Sequence, residues 1–246
     1  MTPTAWCALD MGFLIWREFY GAARRDPAAA VEGAVECALG HAGAFGEPLF
    51  LFDRGPYRRA ALYPGYKAKR NDAQADPAEA ELKADVRRRA DALCEDMRRR
   101  GSRVFGTPGF EADDHAGRVA RDLPPGHALT IVSRDRDLLQ LLRPRVSLLD
   151  PCTGRLHTYK AFRAEWLDLH PVRWAEVKAI AGCSSDEVPG VWGVGEKTAA
   201  RYLADALGPT HAARAKIETF LGTPEYSRNL ELCRLPFPGT PPAALE

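Results

Sequence analysis

Four apolar segments in the first part of this chain each run out into carboxylates, and that recurrence narrows the folds open to it. Ala5–Leu9 ends in Asp10, and Leu49–Phe52 ends in Asp53. Arg103–Phe105 is followed after a short turn by Glu111, Asp113 and Asp114, and Ala128–Val132 by Asp135 and Asp137. Short apolar runs bounded by turn signals read as strands. Between them Pro27–Ala44, Ala78–Arg100, Ala112–Asp122 and Arg136–Leu142 carry helical patterning, and Val146–Leu149 reads as one more strand. Strands alternating with helices predict an α/β fold, a mainly parallel central sheet flanked by helices. Ligands of such sheets bind beyond the carboxyl ends of the strands. The pattern therefore gathers seven carboxylates, Asp10, Asp53, Glu111, Asp113, Asp114, Asp135 and Asp137, on one rim.

Taken singly, Asp113, Asp114 or Asp135 reads as the N-cap of the helix that follows it. Jointly, so many like charges repel and raise one another's pKa unless cations neutralise them. Hard oxygen donors suit magnesium or manganese rather than zinc. Two such ions about 4 Å apart clamp the attacking and leaving oxygens of a phosphodiester, one activating a water and the other stabilising the departing 3′ oxygen. A nearby Lys or Arg stabilises charge building on the phosphate. Lys67 and Arg70 are the candidates, closing a run that also holds Arg54, Arg58, Arg59 and Lys69. The net charge of +1 says nothing about a nucleic-acid partner, whereas this local basic stripe beside acids fits a phosphate-cutting site.

After about Tyr159 the pattern changes. Ala161–Asp168, Arg173–Ala181, Lys197–Leu207 and His211–Leu221 read as helices, with no further strand. The expected organisation is a core over residues 1–159 and a helical lobe over 160–246, with the proline-rich tail from Leu235 frayed. Within the lobe, Gly190, Gly193 and Gly195 punctuate a turn that opens a helix at Lys197 and Thr198. Backbone N–H groups and a helix N-terminus at such a turn suit a phosphate. The spacing is not that of a nucleotide P-loop, and a plain helix–turn–helix corner is the alternative. The charged stretch Asn71–Arg100 carries one narrow apolar stripe, Leu82, Val86, Leu93 and Met97. It reads either as an exposed helix on the sheet or as a semi-independent element over the site.

No apolar run approaches membrane-spanning length, and Met1–Asp10 lacks the layout of a secretory signal. The six cysteines are scattered with no C-x-x-C pair, which argues against a zinc site or a disulfide framework and for a reduced, cytoplasmic setting.

Six blocks occur in order: Leu9-Asp10; Leu51-Phe52-Asp53; Pro64-Gly65-Tyr66-Lys67-Ala68-Lys69-Arg70; Phe110-Glu111-Ala112-Asp113-Asp114; Ser133-Arg134-Asp135-Arg136-Asp137-Leu138-Leu139; and Asp186-Glu187-Val188-Pro189-Gly190-Val191-Trp192-Gly193-Val194-Gly195-Glu196-Lys197-Thr198. Together they resemble the 5′-nuclease superfamily of flap endonucleases, phage 5′-exonucleases and the N-terminal domain of bacterial DNA polymerase I. The resemblance implies a PIN-like core that hydrolyses DNA at 5′ ends, flaps or branched duplexes. It implies a first metal site at Asp10, Asp53, Glu111 and Asp113 with Asp114 beside them, and a second at Asp135, Asp137 and Asp186. It assigns Lys67 and Arg70 to the scissile phosphate, and DNA contacts to Trp16 and Tyr66. The turn around Gly190–Thr198, within residues 175–207, resembles a helix–three-turn–helix element that grips duplex phosphates with a potassium ion, and residues 71–100 take the place of a helical arch. A stand-alone monomer with a DNA polymerase as partner is the expected form. Where bacterial members commonly carry an additional aspartate, this chain has Cys183. A neutral thiol is a poor magnesium ligand, so a DNA-junction binder of weak catalysis is the second reading. A ribonuclease of the related PIN type is the third, and the helical lobe counts against it.

Overall fold

The computed structural model describes residues 4–23, 25–68 and 76–245. Among these, the central sheet has six strands: β1 (Ala5–Asp10), β2 (Glu47–Leu51), β3 (Val104–Phe105), β4 (Ala128–Val132), β5 (Val146–Leu149) and β6 (Leu156–His157). Their spatial order is β3-β2-β1-β4-β5-β6, parallel throughout except for the β5–β6 pairing. From β1 the chain passes first to β2 on one side and later to β4 on the other. That reversal opens a crevice at the carboxyl ends of β1 and β4, the usual place for a site in an open α/β sheet.

The sheet is covered on both faces, and β1 shows the alternation directly. Cys7 and Leu9 enter one core, Trp6 and Ala8 the other, as the two-residue period of a strand requires. The first face is packed by α1 (Met11–Tyr20), α2 (Pro27–Phe45) and, beyond β2 and the short α3 (Arg59–Leu62), by α4 (Pro77–Arg99). On α2, Ala30, Ala34 and Ala38 recur every four residues and are fully buried, which lets its backbone lie close to α1. The second face carries α5 (Ala112–Asp122) and, after α6 (Tyr159–Glu165), the helices α7 (Trp174–Ala181), α8 (Glu196–Leu203) and α9 (Ala212–Leu221). One continuous core joins Leu129 and Ile131 of β4 to Trp174, Ile180 and Ile217. A buried indole such as Trp174 contributes several kcal/mol of hydrophobic stabilisation, at about 25 cal/mol per Å² of apolar surface removed from water.

Three expectations change. The stripe on α4 is Val86, Cys94 and Met97, with Leu82 and Leu93 half-buried, and it lies against the α1–α2 side of the sheet. The second half of the chain is not purely helical, since β7 (Gly182–Cys183) and β8 (Val188–Pro189) form an antiparallel pair. The tail is anchored rather than frayed, and a further helix, α10 (Pro224–Cys233), leads into it. The N–H groups of Leu235, Phe237 and Ala243 donate to Gln140 Oε1, Asp114 Oδ1 and Asp122 Oδ2, and Phe237, Ala243 and Leu245 are buried. No helix among the described residues is long and apolar enough to cross a membrane.

Candidate active site

Asp10 closes β1 and caps α1. Its Oδ1 accepts from the Phe13 N–H at 2.9 Å and its Oδ2 from the Ser133 hydroxyl at 2.7 Å. Burial still pushes its pKa up to about 6. Asp53 follows β2 and receives the Ala112 N–H at 2.8 Å, at the start of α5. Although its side chain reaches solvent, the surrounding protein raises it to about 7, with Asp10 and Glu111 adding repulsion. The two carboxylates converge over Gly12, where a Cβ would lie 2.2 Å from Asp53 Oδ2 and 3.5 Å from Asp10 Oδ1.

Glu111 is buried and surrounded by donors. Its Oε2 accepts from Arg59 Nη1 at 3.0 Å and from the Tyr66 hydroxyl at 2.6 Å, and its Oε1 accepts from Lys67 Nζ. Burial opposes its charge, but Lys67 and Arg59 outweigh burial and hold it below the ordinary carboxylate range. Tyr66, expected on DNA, is instead buried and supports Glu111. Lys67 lies in the left-handed region (φ 54°), uncommon for a side-chain-bearing residue, and its N–H donates to the Asp186 carbonyl at 3.1 Å.

Asp113 and Asp114 are adjacent in sequence and opposite in circumstance. Asp113 Oδ1 is buried with no hydrogen-bond partner among the described residues, and burial followed by Asp114 drives its pKa well up. Asp114 is fully buried and accepts four hydrogen bonds, from Arg59 Nη1 and Nη2 at 2.7 Å each, from the Glu111 N–H at 3.0 Å and from the Phe237 N–H at 2.9 Å. Four donors fill the lone-pair sites of a carboxylate, so Asp114 holds Arg59 and the start of α5 and has nothing left for a substrate.

Asp135 follows β4 and caps the 3₁₀ turn Arg136–Leu141, accepting from the Asp137 N–H at 2.8 Å. Although its side chain reaches solvent, the surrounding protein, then Asp137, raises it to about 6. Asp137 is buried with Oδ1 3.0 Å from Lys178 Nζ, an ion pair without hydrogen-bond alignment, and Lys178 also meets Glu196 at 3.3 Å. The Cys183 thiol lies 3.1 Å from Ser185 Oγ and 3.4 Å from Asp186 Oδ2. Ligand atoms of Asp137, Cys183 and Asp186 fall within 4.8 Å of one another, as do those of Glu111, Asp113 and Asp114.

The structure thus gathers the seven rim acids and Asp186 around the strand ends, with Lys67 between Glu111 and Asp186. Arg70 lies outside the described residues. Trp16 is half-buried, stacked on Tyr20 at 6.0 Å and lying under the Arg87 guanidinium of α4 at 5.8 Å. In the turn, Gly190 meets a packing demand, since a Cβ there would sit 2.3 Å from the Ala181 and Gly182 backbone. Gly193 takes positive φ (78°), Gly195 caps α8, and Lys197 and Thr198 occupy its first turn, Lys197 exposed. Sequence reasoning missed Ser133, which donates to Asp10 and accepts the Asp135 N–H, and it missed Arg59 as a buried clamp. It also missed Lys178, whose only signal was one lysine within the apolar run of α7.

A family model described as the 5′-3′ exonuclease N-terminal resolvase-like domain matches residues 6–168. The chain belongs to this family. Among its relatives, a thermostable DNA polymerase I of Thermus filiformis is 35% identical over 205 residues, covering 80% of this chain and 23% of the relative. A 5′-3′ exonuclease of Bacillus subtilis is 38% identical over 152 residues, covering 60% of this chain and 48% of the relative. The chain therefore spans about a quarter of the polymerase and about half of the exonuclease. In fold it is similar to the flap endonuclease of bacteriophage T5 crystallised with DNA and metal ions, at TM-score 0.76 and 23% identity over 94% of this chain and 89% of that one. In this 5′-3′ exonuclease-family chain the matched span holds Asp10 through Asp137, while Cys183, Asp186 and the Gly190–Thr198 turn lie beyond it.

Proposed function

We propose that the chain is a divalent-metal-dependent 5′ nuclease that hydrolyses DNA at 5′ ends, flaps or branches, with Mg2+ or Mn2+ in two positions. The observation that carries this reading is the convergence of Asp10 and Asp53, with Glu111 linking them to Asp113, whose Oδ1 is buried and unpartnered among the described residues. Buried polar atoms are almost always satisfied, and a hard cation fits an orphaned carboxylate oxygen among other oxygens. Asp10, Asp53 and Asp113 would hold the first cation with Glu111 behind them, and Asp135, Asp137 and Asp186 the second. When bound, such cations activate water and offset charge on the leaving oxygen.

The protein's own part is positional. Glu111 tethers the Lys67 ammonium beside the acids, where it counters charge that builds on a phosphate. Arg70 is proposed as a second phosphate contact. Asp114 acts at one remove, through Arg59 and the start of α5. Residues 160–246 serve as the DNA-binding lobe, with backbone N–H groups from Gly190 to Thr198 and the exposed Lys197 on duplex phosphates and K+ at the turn. Trp16 stacks on a base, and residues 71–100 contact the 5′ strand.

Incubation with an end-labelled 5′-flap duplex and Mg2+ or Mn2+ tests the reading. Expected are short products bearing 5′ phosphates, abolished by Asp53→Ala while DNA binding persists. Binding without cleavage across divalent ions would sink it in favour of a junction-binding protein.

A further inference from the structure

The two halves of the carboxylate group differ in donor chemistry. Asp10, Asp53, Glu111 and Asp113 offer only oxygen. In the other half the atoms lying within 4.8 Å of one another are oxygens of Asp137 and Asp186 and the sulfur of Cys183. Asp137 is nine-tenths buried, and its Oδ1 accepts no hydrogen bond among the described residues, its charge being met by Lys178 at 3.0 Å. The thiol sits 3.4 Å from Asp186 Oδ2, while Asp186 Oδ1 lies 3.6 Å from Lys67 Nζ.

We propose that Asp137, Cys183 and Asp186 form a mixed sulfur–oxygen site that selects a thiophilic divalent cation, of the Zn2+, Co2+ or Cd2+ kind, over Mg2+. The inference rests on the reading that a second cation belongs beside Asp135 and Asp137, and it assigns that cation a chemistry. Magnesium demands oxygen donors in near-ideal octahedral geometry and gains little from sulfur. Borderline-soft ions bind thiolate strongly, and three protein ligands with a position left for water is the pattern of open zinc sites. Lys178 supplies the balancing charge when no ion is bound. On ion entry its ammonium keeps Glu196, already 3.3 Å away, as a partner. The balance is simple: the cation takes the place of the thiol proton, the sulfur–metal bond forms as the S–H bond breaks, and one proton passes to solvent with no change of oxidation state.

Titration of the full chain with Co2+, followed by near-ultraviolet sulfur-to-cobalt charge transfer and by proton release in weak buffer, tests the proposal. Expected are one charge-transfer band and one proton per site, suppressed by equimolar Zn2+ and untouched by a hundredfold excess of Mg2+. Cys183→Ser should lose band and proton release together, whereas Cys233→Ser, altering the neighbouring buried thiol, should keep both. Cys183→Asp should lose the band and raise Mg2+ affinity at the cluster at least tenfold. A wild-type titration without the band, or one in which equimolar Mg2+ displaces Co2+, overturns the proposal without recourse to any variant. So does a band that survives in folded Cys183→Ser. The flap assay judges the nuclease reading separately: cleavage without the band removes only the mixed site, and the band without cleavage removes only the nuclease.

Discussion

At the scale of single residues, Gly12 and Asp114 separate chemistry from stability. Gly12 lies in α1, where alanine is favoured over glycine by about 1 kcal/mol, yet a Cβ there would meet Asp53 Oδ2 at 2.2 Å. Gly12→Ala should therefore leave the melting temperature within a few degrees while lowering cleavage about 100-fold, since displacements near 1 Å have effects of that order. Unchanged cleavage would show that Asp53 is not held where the site needs it. Asp114→Asn has the opposite signature. It leaves the buried Arg59 guanidinium with Glu111 but without the two-pronged Asp114 carboxylate, a loss of about 3 kcal/mol, visible in the urea midpoint before any assay. Little or no shift in that midpoint would argue against the clamp. These two residues also mark what could be read from the chain. The carboxylates were legible because each stands next to the strand that carries it. That Asp113 keeps a buried, unpartnered oxygen while Asp114 is saturated depends on Arg59 and Phe237, which are 54–55 and 123–124 positions away, and no local pattern records it.

At the scale of elements, legibility followed the source of each element's hydrogen bonds. Strands β1 and β4 and helices α2 and α5 carry their own periodicity and lie within a residue of expectation, while β2 begins two residues earlier, at Glu47. Helix α10 also carries a local start signal, Thr223 as N-cap with Pro224 in the first turn. The tail had none: its prolines donate nothing, and the N–H groups of Leu235, Phe237 and Ala243 are satisfied by Gln140, Asp114 and Asp122 of distant elements. It works as a strap. The Phe237 ring lies 4.8 Å from the Arg59 guanidinium, and its N–H completes the Asp114 shell. Phe237→Ala should destabilise by about 3 kcal/mol through the lost ring and its cavity. Removing residues from 236 onward should go further, because it also uncovers the Arg59–Asp114 pair. Urea denaturation of both variants tests the strap, and a truncation as stable as the full chain would return the tail to the frayed state that its composition suggests.

At the scale of the whole molecule, the rim acids and the buried His115 oppose each other in pH. Burial lowers His115 to about 4 from its ordinary 6.5, so its contribution to stability is lost as pH falls from about 6.5 towards 4. Asp10, Asp53 and Asp135 stand at about 6, 7 and 6, raised from 3.8 chiefly by the protein packed around them and then by neighbouring acids. A carboxylate raised in the folded state favours folding while protonated, and that advantage disappears as pH rises through the interval from about 4 to 7. In chelator the imidazole and the carboxylates partly cancel, and a melting curve against pH alone would assign neither. A cation separates them. It binds the ionised rim and relieves the repulsion, but it does not reach His115, whose Nε2 accepts the Thr107 N–H and whose one acidic neighbour, Asp114, is already saturated by Arg59 and backbone donors. The difference between melting temperatures in saturating Mn2+ and in chelator therefore cancels the imidazole. That difference should be small near pH 4.5 and grow towards pH 8 as the raised carboxylates ionise. Asp53→Asn should flatten the rise by removing the highest of the three pKa values. A difference that stays constant across the range would mean that the ion binds somewhere other than the crowded rim at the strand ends.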